Sequence, residues 1–384
     1  MPESDVYEKL RQKINLFFIN TPKSPKILKI LERVFSPEEA ELLSNFNTPY
    51  IDAMTIDKFA KKAKVPVDQV EEIVDRLSQR GLIFKFINKN DGLAYYSLMP
   101  IIPGVFEFYY AANPDKDPDE ERPMADWFES YLWDTLAHEL PSAVPWARIL
   151  PAVEPIEQLI EVNQGVDVEP KILPFEQAKE VLQACRSFAV MPCACRVHGK
   201  YVGRDVSKWP IDVCLTMNSW ADYVVERGIG RAIEMEEALQ ILKDSDKVGL
   251  VHSTSNSFKT QFICNCDPEN CGILGGFIRR RYTNTFAKSN FLPEINAEAC
   301  TKCEKCVGLC PPQALFHHYP HTSDLADNFI AVRENICIGC GVCAANCKQG
   351  AIQLKKIREA TVVDSVGEMW QAFKANKLGI HEVP

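Results

Sequence analysis

Fifteen cysteines lie unevenly along a chain of 384 residues, none of them before Cys185. Eight fall in two runs of one spacing. Residues 300 to 311 read CTKCEKCVGLCP and residues 337 to 348 read CIGCGVCAANCK, each C-x2-C-x2-C-x3-C, the second displaced by 37 positions. Thiolates at this spacing suit an iron–sulfur cube, because a tight loop delivers three corners and a following helix supplies another. When two such runs occur together, three cysteines of each hold one cube and the fourth holds the other. Cys300, Cys303, Cys306 and Cys347 are thus expected around one 4Fe-4S cluster, and Cys337, Cys340, Cys343 and Cys310 around a second. Two zinc sites are the competing reading, but zinc seldom takes eight cysteines as a crossed repeat. Gly308, Gly339 and Gly341 are expected to let the backbone wrap closely and turn its N–H groups toward sulfur.

The run is that of bacterial two-cluster ferredoxins. Two departures stand out. Proline follows Cys310 but Lys348 follows Cys347, which removes a rigid exit and adds a cation. The connection from Pro311 to Ile336 is long and carries His317, His318 and His321. It reads as a solvent-exposed loop, with a partner-contacting hairpin as the alternative.

Six further cysteines form a separate set: Cys193 and Cys195 in MPCACRVHGK, Cys214 in DVCLTMNSW, and Cys264, Cys266 and Cys271 in FICNCDPENCGIL. In an extended segment residues i and i+2 share a face, so each C-x-C pair can offer two thiolates to one metal. Four of the six would complete a third site. A third 4Fe-4S cluster is the preferred reading, a structural zinc the next, and unligated thiols the third. Cys185, in a helical FEQAKEVLQACRSF, reads as a small buried hydrophobe. His198 is a candidate ligand or a surface histidine, whereas His138 and His252 read as packing residues. Arg196, Lys200, Arg204 and Lys208 either neutralise an anionic centre or form a solvated loop; Arg279, Arg280 and Arg281 invite the same two readings.

Nearly the whole chain resembles a family of large 4Fe-4S dicluster ferredoxin-type proteins of anaerobic bacteria and archaea. The resemblance runs through the PKS and FSPEEAELL segments, YYSLMP, the CxCR segment, VHSTSN, FICNC and the paired cysteine runs. Members usually carry CNCCxCCC where this chain has Cys264 to Cys271, and one more cysteine ahead of Cys214. Asp267, Pro268, Glu269 and Asn270 occupy part of that stretch here. Either a site has decayed or the surviving cysteines are its ligands; the second is preferred, because the survivors span all three segments.

The elements that must position these residues are legible in outline. Ile27, Ile30, Leu31 and Val34 form a helical stripe. SPEE predicts a helix capped by Ser36 and Glu39. MTIDKFAKKAKVPVDQVEEIVDRLSQRGL predicts two more, the second burying Val67, Val70, Ile73, Val74 and Leu77 and ending at Gly81. LIFKFI and LAYYSL, joined by NKNDG, predict a hairpin. Three helices and a hairpin make a winged helix, yet the helix that would enter DNA carries Asp68, Glu71, Glu72 and Asp75 against Arg76 and Arg80. NPDKDPDEERP reads as a linker, WADYVVERGIGRAIEMEEALQIL as helical, and the aromatic ADWFESYLWDTLAHELPSAVPW as packing. Ser365 and Glu368 predict a capped tail helix that covers its own domain or docks on a partner.

The expected fold class is α+β: an N-terminal helical segment (1–35), a winged-helix-like domain (36–112), a mixed α/β middle domain with the third site (113–290), a two-4Fe-4S ferredoxin domain (291–356) and a tail helix (357–384). A net charge of −9 argues against a general nucleic-acid or membrane-surface binder. No apolar run is long enough to span a bilayer and no signal peptide is evident, so the expected compartment is the cytoplasm, where thiols stay reduced. No Rossmann fingerprint, P-loop or hydrolase elbow occurs. The expectation is an electron-transfer protein, or the electron-transfer subunit of an oxidoreductase, serving a flavoprotein or a molybdenum- or tungsten-type enzyme. A homodimer through the winged helix is a further expectation. A redox-sensing winged-helix regulator and an oxidoreductase with a substrate-binding third cluster are the alternatives.

Overall fold

The computed structural model describes residues 3–162, 171–280, 284–319 and 328–377. The architecture is α+β. Two compact units divide the chain: Met1–Leu140 with Ser187–Ala232, and Pro141–Arg186 with Ile233–Pro384. Residues 113–290, expected as one domain, therefore contribute to both.

The first unit opens with α1 (Glu3–Ile14), α2 (Pro25–Val34), α3 (Pro37–Leu43), α4 (Ile56–Ala63) and α5 (Val67–Gln79). All four stripe residues of α2 are buried, and Ser24 caps its start. The capping box of α3 is complete: Ser36 N donates to Glu39 Oε2 at 2.8 Å, and Glu39 N donates to Ser36 Oγ at 3.2 Å. Along α5, Val70, Val74 and Leu77 are buried, whereas Val67 is exposed because it lies in the first turn, ahead of the packed face. Strands β1 (Ile83–Ile87) and β2 (Ala94–Leu98) pair antiparallel from Ile83↔Leu98 to Ile87↔Ala94. Next come α6 (Phe106–Ala111) and α7 (Pro118–Asp134). The stretch read as a linker is thus partly helical: Asp117 caps α7 through Asp119 N at 2.9 Å, and Asp119, Glu120 and Glu121 favour its positive end.

The chain then enters the second unit for β3 (Ala147–Leu150), α8 (Val153–Val162) and α9 (Ala178–Gln183). It returns to the first for β4 (Phe188–Pro192), α10 (Ala194–Tyr201), β5 (Asp212–Met217), α11 (Asn218–Glu226) and β6 (Arg231–Ile233), with strand order β6-β4-β5. Between α11 and the next helix, β6 breaks the helix expected over WADYVVERGIGRAIEMEEALQIL. Gly228, left-handed at φ 65°, makes the break, with Ile229 N donating back to Val224 O at 3.0 Å, and Gly230 leaves room for Val190 O. Aromatic rings fill this unit's core: Phe106 and Tyr110 pack edge-on against Phe128 and His198, and Tyr223 donates to Ser78 O and Ile83 O.

The rest of the second unit is α12 (Met235–Lys247), β7 (Val251–Ser255), β8 (Phe262–Cys266), α13 (Gly272–Arg280), β9 (Phe286–Ala287), β10 (Phe291–Ile295), α14 (Lys305–Leu309), β11 (Leu315–His318), β12 (Phe329–Val332), α15 (Val342–Ala345), β13 (Ile352–Lys356) and α16 (Val366–Ala375). Its strands order as β8-β7-β3-β9, with β10 pairing β13 and β11 pairing β12, both antiparallel. The long connection thus contains paired strands, with His317 and His318 on β11 and His321 outside the described residues. Tail helix α16 covers its own unit, burying Met369 and Phe373 and stacking Trp370 on Trp146 at 5.6 Å between ring centroids.

Candidate metal centres

The two cysteine runs fold into equivalent loops. Lys302 and Glu304 in the first (both φ 59°) match Gly339 and Gly341 in the second (φ 70° and 76°), all left-handed. This curl brings the first three cysteines inward. Cys306 and Cys343 sit on the short helices α14 and α15, and Cys310 and Cys347 follow those helices. The second loop requires glycine for a reason beyond φ: a side chain on Gly339 would overlap Ser289 Oγ and Phe291 O. Nothing crowds Gly308, whose φ is not left-handed, so its expected wrapping role falls instead to Lys302 and Glu304.

The cysteines separate into the two crossed groups of four. Cys300, Cys303, Cys306 and Cys347 border one cavity of about 190 Å³. Cys310, Cys337, Cys340 and Cys343 border another, closed down to about 20 Å³. A single apolar cluster of Leu315, Ile330, Cys343 and Ile352 packs against cysteines of both groups. Burial pushes the thiols of Cys310, Cys337, Cys340 and Cys343 upward, and the neighbouring cysteines add to this for Cys340 and Cys343. Four such thiols resist becoming thiolates together unless a cationic core lies between them. Cys303 is the exception: it is exposed, and the Lys305 amide and the Thr301 hydroxyl hold its thiol below the usual range. Ala314 N donates to Cys310 Sγ at 3.2 Å, one of the amide contacts a cluster sulfur would use.

Among the described residues, no three His, Cys, Asp or Glu side chains converge as they would around a single metal ion. A zinc ion needs sulfur about 2.3 Å from one point, whereas a cube keeps its four thiolates apart at its corners. The all-cysteine donor set and the open first cavity fit a cube; a cube in the second would require that loop to widen.

The six remaining candidates lie as two threes, one in each unit. In the first unit Cys193 caps α10 and Cys195 lies inside that helix, so the pair is not extended as expected; the helix starts directly after Pro192 ends β4. Hydrogen bonds from the Cys195 and Cys214 thiols, and then the Arg196 guanidinium, hold the buried Cys193 thiol well below its ordinary range. Arg196 is fully buried, with Nη1 donating to Pro210 O at 2.7 Å, and is no solvated residue. Lys200 instead donates to Pro114 O, Arg204 pairs with Glu129, and Lys208 lies over Trp209. His198 is buried too, its Nε2 at 2.9 Å from Ala125 O, which corrects its reading as a surface group.

In the second unit Cys264 and Cys266 lie on one strand, β8, as expected, and Cys271 Sγ comes within 3.2 Å of Cys266 Sγ. Asp267 closes the intervening turn by accepting from Glu269 N at 2.9 Å and Asn270 N at 2.7 Å. Arg279 bonds Glu269 O across the same turn; Arg281 lies outside the described residues. Cys185 is half-buried, its Sγ 3.4 Å from Val181 O. His252 packs inside, with Nδ1 2.6 Å from Asn265 Oδ1 and Nε2 2.9 Å from Asp246 Oδ1.

Comparison with family models, with curated proteins and with solved structures finds no match to this chain.

Proposed function

We propose that this chain is an iron–sulfur electron-transfer protein, or the electron-transfer subunit of a larger oxidoreductase, with two 4Fe-4S clusters on the crossed cysteine groups. The supporting observation is the partition itself: each cavity is bordered by three cysteines of one run and the last cysteine of the other. When bound, such clusters supply one-electron chemistry. The chain's own contribution is to exclude water with Ile295, Ile330, Ile352 and Leu315, and to aim amide N–H groups at sulfur.

Cys303, the exposed member, marks the side from which a redox partner reaches the first group. A flavoprotein or a molybdenum- or tungsten-type enzyme is the proposed partner, and the cytoplasm the proposed compartment. Metal binding is also proposed for the six further cysteines, Cys193, Cys195 and Cys214 in the first unit and Cys264, Cys266 and Cys271 in the second. The helix–hairpin segment is proposed to dock protein, including a second copy of this chain. On α5, Arg76 pairs with Glu39 at 2.9 Å and with Glu72 at 3.5 Å and Arg80 donates to Val34 O, while Asp68, Glu71 and Glu72 are exposed to solvent. Among the described residues, no helix is long and apolar enough to cross a membrane.

Anaerobic purification with iron and sulfide counts tests the reading: about eight irons per chain fit two cubes and about twelve fit three. Cys347→Ser should remove the same cluster as Cys300→Ser, seen as one shared EPR signal lost, while Cys310→Ser removes the other. A Cys347→Ser chain that instead loses the signal lost in Cys337→Ser sinks the crossed assignment. No iron in the wild-type chain sinks the whole proposal.

A further inference from the structure

The second unit holds another cavity, of about 250 Å³, lined by none of the eight paired cysteines. Its wall includes Arg148 from β3, Glu176, and Lys288 and Ser289 from the segment entering β10. Arg148 is only 4% exposed. Its Nη1 donates to Phe175 O at 2.8 Å and its Nη2 to Ser257 O at 3.3 Å, while Nε has no partner. Among the described residues it hydrogen-bonds only neutral carbonyls and lies over the Phe175 ring, so Glu176 acts on it without forming an ion pair, less compensation than such burial normally demands. Burial pulls its pKa down to about 9, with Glu176 acting in the opposite direction.

Glu176 cannot serve as that counter-ion alone. It accepts from Leu173 N and Asn290 Nδ2, each at 2.6 Å, and pairs at 3.1 Å with Lys356, a cation it shares with Glu359. Lys288 adds another cation to the wall, its ammonium bonded to the carbonyl of Asn335. The balance around the space is positive. Val144, Ile149 and Phe175 supply an apolar part of the wall, and Asn256, Asn290 and Thr361 add neutral polar groups. At about 250 Å³ the space lies just under the usual range of about 300–1,000 Å³ for small-molecule pockets.

We propose that this cavity binds a small organic carboxylate, its charged end held by Arg148 and Lys288 and its carbon skeleton on the apolar wall. The site adjoins the second cysteine loop: Ser289 Oγ donates to Gly339 O at 2.6 Å, and Ser289 N donates to Ile338 O at 3.1 Å.

Isothermal titration of the full-length, anaerobically purified chain with malonate tests it. One saturable site is expected, with sodium chloride at equal ionic strength giving none and inorganic phosphate binding at least about tenfold more weakly. Lys288→Gln, a half-exposed position, should weaken malonate about tenfold, the effect of losing one charge-assisted bond. Arg148→Met should abolish binding; if that chain fails to fold, Arg148→Lys, which loses the planar fork, should still bind more weakly than wild type. No saturable malonate binding, or undiminished binding by Lys288→Gln, overturns the site; phosphate binding as tightly as malonate overturns the carboxylate assignment. A second arm rests on the iron–sulfur reading: bound malonate should move the midpoint potential of one cluster negative, because a nearby anion opposes the added electron. An unmoved potential with malonate bound overturns the placement beside the cluster. Malonate binding by a chain that holds no iron leaves the site standing and sinks the cluster reading, whereas iron without binding does the reverse.

Discussion

Lys302 and Gly339 occupy equivalent points of the two cysteine loops and share a left-handed backbone, at φ 59° and 70°. One tolerates a side chain and the other does not, because Gly339 faces Ser289 and Phe291 whereas Lys302 lies on the more open loop. Gly339→Ala should therefore cost at least about 2 kcal/mol and remove the iron of the proposed second cluster; iron retained at wild-type level in that variant would refute the packing argument. Lys302→Gly should raise the thermal unfolding midpoint, since an L-residue in this conformation costs about 1 kcal/mol, less the greater chain entropy of glycine. The two cysteine loops were readable at this scale because each is a short, local turn of one spacing. The burial of Arg196 and His198 was not readable, since polar residues are inside or outside according to what packs over them.

At the scale of elements, capping was the most legible feature. Both predicted boxes form, Ser36 with Glu39 and Ser365 with Glu368, because each needs only residues three apart. What α16 covers was open in the sequence; Trp370 on Trp146 and the fully buried Phe373 decide it. Phe373→Ala should destabilise the second unit by about 3–5 kcal/mol, read as a lower denaturation midpoint; a change below about 1 kcal/mol would mean that the helix is not packed as described. For α5 the expectation is negative: at about 0.15 M salt, gel-shift titration with duplex DNA should show no saturable complex, since its outward face is acidic. Saturable retention of one operator sequence would revive the regulator reading. Elements were misjudged where a local cue was outweighed. The proline-rich charged stretch enters α7 because its acids suit a helix start and Met124, Ala125 and Phe128 bury the following turns.

For the whole molecule, chain order and compact unit do not coincide, since the backbone passes between the two units three times. Stability against pH carries a signature from the first unit. Glu107 accepts from Gly104 N at 2.6 Å, and burial pushes its carboxyl from an ordinary 4.5 up to about 7, against the pull of that amide. Between those values the folded chain holds a proton that the unfolded chain releases, so stability falls as pH rises. The contribution is complete below about pH 4.5 and lost as pH passes through about 7. Glu107→Gln should flatten this slope: between pH 5.5 and 7.5, roughly, the wild-type unfolding midpoint should fall more than the variant's. Parallel curves would remove Glu107 as the cause.

The sequence by itself determined the two equivalent cysteine loops, the capped helices and the β1–β2 hairpin, all of which follow from residues near one another along the chain. Tertiary structure alone decided the rest. It split the six further cysteines into a three in each unit, placed Arg196 beside Cys193, and left Arg148 charged inside the apolar strand β3. These outcomes depend on which distant segments share a core, and no periodicity or spacing in a single chain encodes that.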